Sequence, residues 1–175
     1  MASLMDAFKN EAIDIEALPK FQEVEFIPIS GMYLVKSIVQ TGIFFIFLLV
    51  GWAALYYYEL GSPFLMYGLA AILIIFAFKF WNNFKMQEKY GYALRERDIL
   101  YRRGFFINSI TIVPFNRIQH VSVSRDALDK ILKISSLQVF TAGGSGSDIN
   151  IPGLNPELAA RLKEALASRL TPNED

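Results

Sequence analysis

Few side chains in this sequence could take part in catalysis or bind a metal ion. The chain has one histidine, His120, and no cysteine, which excludes thiolate chemistry and disulfides and leaves no typical zinc site. A histidine that acts as a general base needs a positioned partner and a pocket, and no nucleophile motif surrounds His120. We therefore expect a structural, hydrogen-bonding role for His120, with no catalytic residue, no metal and no cofactor, in a protein that is not an enzyme.

Basic residues are the stronger candidates for binding. Residues 79–133 carry eleven Lys or Arg against five acids, although the whole chain has no net charge. Cations beside a membrane attract anionic lipid headgroups, by about 1 kcal/mol each. The alternative is that these charges only set membrane topology and solvate a sheet face. For Arg117, the alternative is a local salt bridge or a bond to loop carbonyls. The candidate headgroup or anion contacts are Lys85, Lys89, Arg102, Arg103 and Arg117.

A glycine-rich segment is the second candidate for binding. Gly143, Gly144, Ser145 and Gly146 precede another serine and an acid. Glycine lets backbone amides approach an anion closely, but the segment lacks the Lys-Ser/Thr ending of a phosphate-binding loop. We interpret it as a flexible hairpin, and as a candidate partner-binding loop that becomes ordered on contact.

Two long uncharged runs precede these candidates and are separated by a single acid. They cover Ser37–Tyr58, with 22 residues, and Leu60–Phe78, with 19 residues. At about 1.5 Å per residue, either run can cross a bilayer core of about 30 Å. Helices buried in soluble proteins seldom lack charge over such a length. The pattern predicts a two-helix transmembrane hairpin over residues 33–81, with helices at about 37–58 and 60–81.

The positions of lysine and arginine indicate how the hairpin is oriented. The short connection around Tyr57–Pro63 has neither residue, whereas several follow the second helix, beginning at Lys79 and Lys85. The positive-inside rule therefore places both termini in the cytoplasm. The acidic stretch Met1–Lys20 has no apolar run and does not have the pattern of a signal peptide.

The rest of the sequence predicts short strands followed by one helix. Asn155 is a suitable N-cap, Pro156 suits the first helical position, and Leu158, Leu162 and Leu166 share one face of the helix. This layout is typical of an α+β or all-β domain whose helix covers a sheet edge or barrel end. The predicted strands include Tyr90–Arg95, Ile99–Ile107, Ile110–Val113, Leu137–Thr141 and Ile149–Ile151, with a strand around Val121 and Val123 and a helical turn over Ala127–Leu132.

Three blocks of this sequence resemble a known family. They are Tyr92–Gly104, Ile112–Val121, which includes Pro-x-x-Arg-Ile-Gln-His, and Leu137–Gly153, which includes Thr-Ala-Gly-Gly. The chain is similar over residues 30–170 to small bacterial membrane proteins with two transmembrane helices and one pleckstrin-homology-like (PH-like) domain. The resemblance implies an antiparallel sandwich or barrel of short strands capped by a C-terminal helix. It also implies a larger relative, with several copies of the domain, as a partner.

The sequence thus predicts a multi-pass protein of the bacterial cytoplasmic (inner) membrane. Its expected parts are an N-terminal cytoplasmic segment (1–32), the transmembrane hairpin (33–81) and a cytoplasmic PH-like domain (86–171). The function we expect is a membrane-anchored, non-catalytic binding or scaffolding module within a membrane assembly. Two alternatives stay open, a subunit of a transport, export or antimicrobial-resistance complex and a lipid-headgroup-binding module.

The expected partners follow from the same observations. They are the lipid bilayer, a larger membrane protein with related PH-like domains, and a second copy of the chain in a homo-oligomer. Nucleic acid is not an expected partner, because the domain is not strongly basic overall and has no recognised reader motif.

Overall fold

The computed structural model describes residues 24–58, 64–142 and 149–169. Within these ranges, two long helices lead into two antiparallel sheets and a final helix. In chain order the elements are β1 (Ile27–Pro28), α1 (Met32–Tyr57), α2 (Phe64–Gln87), β2 (Gly91–Leu94), β3 (Asp98–Arg103), β4 (Ser109–Pro114), a 3-10 turn (Phe115–Arg117), β5 (Ile118–Ser124), α3 (Ala127–Ile131), β6 (Ser135–Thr141), β7 (Ile149–Leu154) and α4 (Pro156–Ala167).

Helices α1 and α2 pack side by side as a hairpin. The rings of Phe45 and Phe76 lie 4.3 Å apart between them, and the Trp52 indole N–H donates a 2.9 Å hydrogen bond to the Leu65 carbonyl. Most other side chains on both helices face outward and are apolar. Both helices are long and apolar enough to cross a membrane. The predicted pair of membrane helices is therefore confirmed as two candidate spans.

The two helices extend beyond the uncharged runs at the end nearest the domain. Helix α1 begins at Met32 rather than near residue 37, and α2 continues to Gln87 rather than 81. The extra turns carry polar side chains that bond across the hairpin. Asn83 donates a 3.0 Å hydrogen bond to the Thr41 hydroxyl, for example. These bonds keep the chain helical where it leaves the apolar segment, a position that hydropathy alone does not mark.

The domain consists of two antiparallel sheets, with strand orders β1-β2-β3-β4 and β5-β6-β7. Side chains from both sheets form a common core that includes Ile99, Leu137, Val139 and Ile151, each fully buried. Helix α4 packs against β5 and β6 and adds Leu166 to this core. The predicted antiparallel strands with a C-terminal helix are confirmed, and the arrangement is consistent with a PH-like domain.

Strand β3 ends at Arg103 instead of continuing to Ile107, as the aromatic residues had predicted. Gly104 has a φ of +95°, a conformation that favours glycine, and a Cβ there would clash with the Ile107 carbonyl. The chain therefore turns at Gly104 and returns as β4, with Arg103 opposite Ser109. Phe106 and Ile107 form the exposed tip of this turn.

The first strand lies before the membrane helices in the sequence. Ile27 pairs with Tyr92 and Pro28 with Gly91, so β1 extends the sheet beside β2. The next residue, Ile29, is buried in the domain core. The sequence pattern leaves these residues in the N-terminal segment, whereas the structure joins them to the domain. The membrane hairpin is thus inserted between two neighbouring strands of one sheet.

Candidate functional site

A buried ion bridge joins α1 to the domain. Lys36 lies one turn into α1, and its Nζ is 2.7 Å from Asp126 Oδ2 and 2.7 Å from Asp129 Oδ1. The side chains of Lys36 and Asp129 are 10% and 4% exposed, whereas that of Asp126 is 52% exposed. Removing one partner of a buried pair leaves an uncompensated charge, which is costly. The bridge therefore fixes α1 against α3.

The start of α3 positions both carboxylates for this bridge. Asp126 Oδ1 accepts a 2.8 Å hydrogen bond from the Asp129 N–H, and Asp129 Oδ2 accepts a 3.2 Å bond from the Asp126 N–H. Each carboxylate thus uses one oxygen in a reciprocal capping box and the other to bind Lys36. The hydrogen bond with Lys36, followed by that with the backbone of Asp129, lowers the pKa of Asp126 below its ordinary value.

Hydrogen bonds to backbone carbonyls complete the connection between the hairpin and the domain. The side-chain amide of Gln87, at the end of α2, donates to the carbonyls of Ser30 (3.1 Å) and Ile29 (3.4 Å). The Ser30 N–H donates a 2.9 Å bond to the Gly153 carbonyl in β7. Gly153 has a φ of +68°, and a Cβ there would lie 2.7 Å from Tyr33 Cβ. Both helices and β7 therefore meet in close contact.

A second contact joins α2 to the turn after β3, and it is aromatic. The ring of Phe106 stacks on that of Phe78 at 6.0 Å with an interplanar angle of 24°. Trp81, one turn farther along α2, lies 5.9 Å from Phe105 and 6.3 Å from Phe106. We name residues 104–108 the β3–β4 loop. The loop lies along α2 rather than on the domain core.

A cleft of about 530 Å³ lies where the β3–β4 loop meets the end of α2. Its chemistry is mixed, because the guanidinium of Arg103 and apolar rings line it together. The Asn82 Oδ1 atom is buried and has no hydrogen-bond partner among the residues that the structure describes. The lining consists of Asn82, Met86, Tyr90, Arg103, Gly104, Phe105, Phe106, Ile107 and Ser109.

A second cleft, of about 710 Å³, lies at the corner between β4 and the end of α4. The Arg169 guanidinium lies 4.9 Å from the Phe115 ring centre and donates a hydrogen bond to the Glu96 carbonyl. Two arginines and one acid, Glu96, are among the residues that line this cleft. The lining consists of Glu96, Arg97, Pro114, Phe115, Asn116, Ser168 and Arg169.

The predicted headgroup contacts fall into separate groups. Lys85 and Lys89 lie at the domain end of α2, where Lys85 Nζ is 3.5 Å from a Glu88 carboxylate oxygen and Lys89 is exposed. Arg117 is exposed in the 3-10 turn before β5 and lines neither cleft. These residues remain predicted contacts.

The two arginines at the end of β3 have different surroundings. The Arg102 guanidinium lies 4.5 Å from the centre of the Phe26 ring, and its Nε is buried without a hydrogen-bond partner among the described residues. Arg103 is exposed and lines the cleft beside the β3–β4 loop. Only Arg103 of the five predicted contacts lies at that cleft.

The remaining candidates from the sequence are His120 and the glycine-rich segment. His120 is exposed on β5, where its ring stacks on that of Phe140 at 4.1 Å. Gly143, Gly144, Ser145 and Gly146 lie outside the described residues. Within the described ranges, no three His, Cys, Asp or Glu side chains are grouped so that they could hold a metal ion.

Sequence reasoning missed the ion bridge and the aromatic contact. Asp126 and Asp129 have the spacing of a capping box, which the sequence could have predicted. Their partner Lys36 is distant in the sequence, where its position before the first apolar run indicates only membrane orientation. The aromatic residues of the loop have high β propensity, and this concealed the turn at Gly104.

Comparison with curated proteins identifies two relatives from Bacillus subtilis (strain 168). The chain is 32% identical over 84 residues to the UPF0699 transmembrane protein YdbS, a match that covers 47% of this chain and 51% of YdbS. It is 25% identical over 101 residues to the UPF0699 transmembrane protein YdbT, a match that covers 57% of this chain and 20% of YdbT. The matched region therefore spans about half of one relative and a fifth of the other. No solved structure matches the chain.

The family comparison covers much more of the chain. The family model described as "Bacterial PH domain" matches residues 30–170, which include both candidate spans, strands β2 to β7 and α4. The relatives' names agree with the hairpin, because both are called transmembrane proteins. The chain is therefore a membrane protein that belongs to the bacterial PH domain family.

Proposed function

We propose that this protein is a membrane-anchored, non-catalytic binding module that holds its PH-like domain in a fixed position at the bilayer surface, as part of a larger membrane assembly. The observation that carries this proposal is the insertion of the hairpin between β1 and β2, reinforced by the bridge from Lys36 to Asp126 and Asp129. A flexible tether would suffice to keep a domain near a membrane, whereas this joint also restricts its orientation.

The described surface supports binding more than catalysis. Apolar and cationic side chains line most of both clefts, and Glu96 and Ser168 also line the cleft beside α4. Anchoring raises the local concentration of a binding surface relative to partners in the same membrane. Modest contacts then suffice for stable association.

The proposed location is the bacterial cytoplasmic membrane, with both termini and the PH-like domain in the cytoplasm. The distribution of Lys and Arg around the two runs supports this orientation. The proposed partner is a larger membrane protein with related PH-like domains, which the family resemblance supports. The outward apolar faces of α1 and α2 are surfaces on which such a protein could pack.

A lipid-headgroup-binding module is the second candidate function. The observation that favours it is Arg103, which lines a cleft beside the membrane helix α2. An arginine binds a phosphate through charge-assisted hydrogen bonds. This candidate predicts enrichment of anionic phospholipid on the isolated protein, without any requirement for a protein partner.

The test is purification of the tagged full-length protein from its native host in a mild detergent, with particle mass, proteins and lipids measured. The scaffold proposal expects a stoichiometric membrane partner that carries PH-like domains. In the variant Lys36→Met we expect less of this partner per molecule of purified protein, because the domain loses its fixed orientation. Lys130→Met removes an exposed cation from α3 and serves as the matched control.

Other outcomes separate the candidates. A single chain or a homo-oligomer that carries enriched anionic phospholipid would replace the scaffold proposal with the lipid-binding one. A single chain with neither partner nor enriched lipid would contradict both.

A further inference from the structure

We propose that the β3–β4 loop inserts its tip, Phe106 and Ile107, into the leaflet of the membrane that lies nearest the domain. The ligand of this surface is the phospholipid bilayer itself, at the boundary between headgroups and acyl chains. The inference depends on the hairpin spanning the bilayer and does not depend on the scaffolding role.

The loop tip exposes more apolar surface than a water-facing turn would be expected to carry. The Ile107 side chain is 83% exposed and that of Phe106 is 62% exposed. Ile107 is the most exposed large apolar residue of the described chain, including those on the two membrane helices. Adjacent exposed apolar residues at the tip of a turn indicate an interaction surface.

The position of the loop along α2 identifies what covers this surface. Phe106 stacks on Phe78, which is the last residue of the second uncharged run, and contacts Trp81, one turn farther along. Phe78 precedes the end of α2 at Gln87 by nine residues, or about 13 Å of helix. The loop tip therefore lies at the level of Phe78, where the apolar segment of α2 ends.

Aromatic residues at this level are typical of a membrane interface. Trp81 belongs to the kind of aromatic belt that sits among lipid headgroups. A side chain stacked on Phe78 and in contact with Trp81 must lie at a similar depth. Phe106 therefore occupies the interface, and Ile107 lies beside it at the exposed tip.

The charges around the loop fit a phospholipid. Arg103 immediately precedes the loop and lines the cleft between it and α2, while Lys79 follows Phe78 on α2 and is exposed. An apolar tip flanked by cations matches a layer that offers acyl chains on one side and phosphates on the other. This order of apolar and cationic groups favours lipid over a protein partner as the occupant.

The loop also has a defined shape, which an inserted element requires. Arg103 and Ser109 pair across its base, and Gly104 turns the chain with its positive φ. The Phe105 ring packs against that of Trp81 at 5.9 Å and so holds the base of the loop on the helix. Little conformational entropy is then lost when the tip enters lipid.

The test uses the full chain, which has no cysteine, in nanodiscs of phosphatidylethanolamine and phosphatidylglycerol. The variant Ile107→Cys is labelled with a polarity-sensitive fluorophore, and Lys163→Cys on the exposed side of α4 provides the matched control. Quenching is then measured with lipids brominated on their acyl chains. Secondary structure and elution volume confirm that both variants fold.

The expected result is blue-shifted emission at position 107, with quenching by brominated lipid several times that at position 163. Emission at 107 that is as red-shifted as at 163 would overturn the proposal, because the tip would be in water. Blue-shifted emission without lipid quenching would also overturn it, because a second protein surface would then cover the tip. Phe106→Ser should reduce the quenching at position 107 in the same assay.

Discussion

The domain contacts the two membrane helices in opposite ways. At α1 the contact is polar, buried and directional, because Lys36 is bonded to two carboxylates that are themselves fixed by the capping box of α3. At α2 the contact of Phe78 with Phe106 is aromatic and open to the surroundings. The polar contact requires one hydrogen-bonding geometry, whereas aromatic pairs are favourable in both offset-stacked and edge-to-face arrangements. The difference predicts that the contact with α1 contributes more to the orientation of the domain than the aromatic contact with α2.

The largest expected effect comes from removing the cation of the polar contact. Lys36→Met leaves Asp129 buried without its partner, so we expect the free energy of unfolding to fall by about 3–5 kcal/mol. Thermal unfolding in nanodiscs measures this, and Lys130→Met should change stability by less than about 0.5 kcal/mol. A loss for Lys36→Met no greater than that of the control would show that the bridge does not hold α1.

A smaller loss of stability is expected from a substitution at Gly153, where the backbone of β7 approaches α1. Gly153→Ala places a Cβ 2.7 Å from Tyr33 Cβ at a φ of +68°, so we expect a loss of about 1–3 kcal/mol. Gly51→Ala is the control, since nothing lies within 4 Å of a Cβ at that position of α1. Equal melting temperatures for the two variants would contradict the close contact between β7 and α1.

The stability that the aromatic contact contributes should differ between detergent and a bilayer, whereas that of the polar contact should not. Phe106→Ser loses the stacking on Phe78, which we expect to cost about 1 kcal/mol in detergent. In a bilayer the loss should increase, because a polar side chain then replaces an apolar one at the interface. Unfolding of the variant in both media measures this difference. An equal loss in the two media would place Phe106 outside the lipid.

The smallest effect is that of pH on the bridge. The pKa of Asp126 is lower in the folded protein than in the unfolded chain. Its ionised form therefore contributes to the free energy of unfolding above the unfolded pKa of about 3.9, and this contribution disappears as the pH falls through the pKa of the folded protein. The stability difference between wild type and Asp126→Asn should therefore be constant from about pH 7 to about pH 5 and shrink below about pH 4. Melting at each pH measures it, and a difference that shrinks above about pH 5 would contradict the assignment.

Patterns among neighbouring residues in the sequence were sufficient to predict much of the fold. The uncharged runs predicted both long helices, and the β-branched stretch Ile110–Val113 lies within β4. Asn155 caps α4 as expected, with its side-chain oxygen accepting a hydrogen bond from the Glu157 N–H at 2.9 Å. Each of these features depends on residues that are close together in the sequence, where propensity and capping act directly.

The features that sequence reasoning missed depend on distant residues. The two-residue strand β1 pairs with β2 across the entire hairpin, and no local pattern marks so short a segment as a strand. The partners of Lys36 lie about ninety residues farther along the chain. For the candidate site, Arg103 was predicted as a contact, but its cleft is created by a turn whose aromatic residues favour a strand.

The insertion of the hairpin between β1 and β2 also constrains how the protein is made. Strand β1 leaves the ribosome before either membrane helix, but its partner β2 follows only after both. The four-stranded sheet is therefore completed only when α1 and α2 have been synthesised and lie antiparallel, with their domain ends together. Closure of this sheet therefore depends on the insertion of both helices, since a chain in which only one of them crosses the bilayer leaves β1 and β2 on opposite sides.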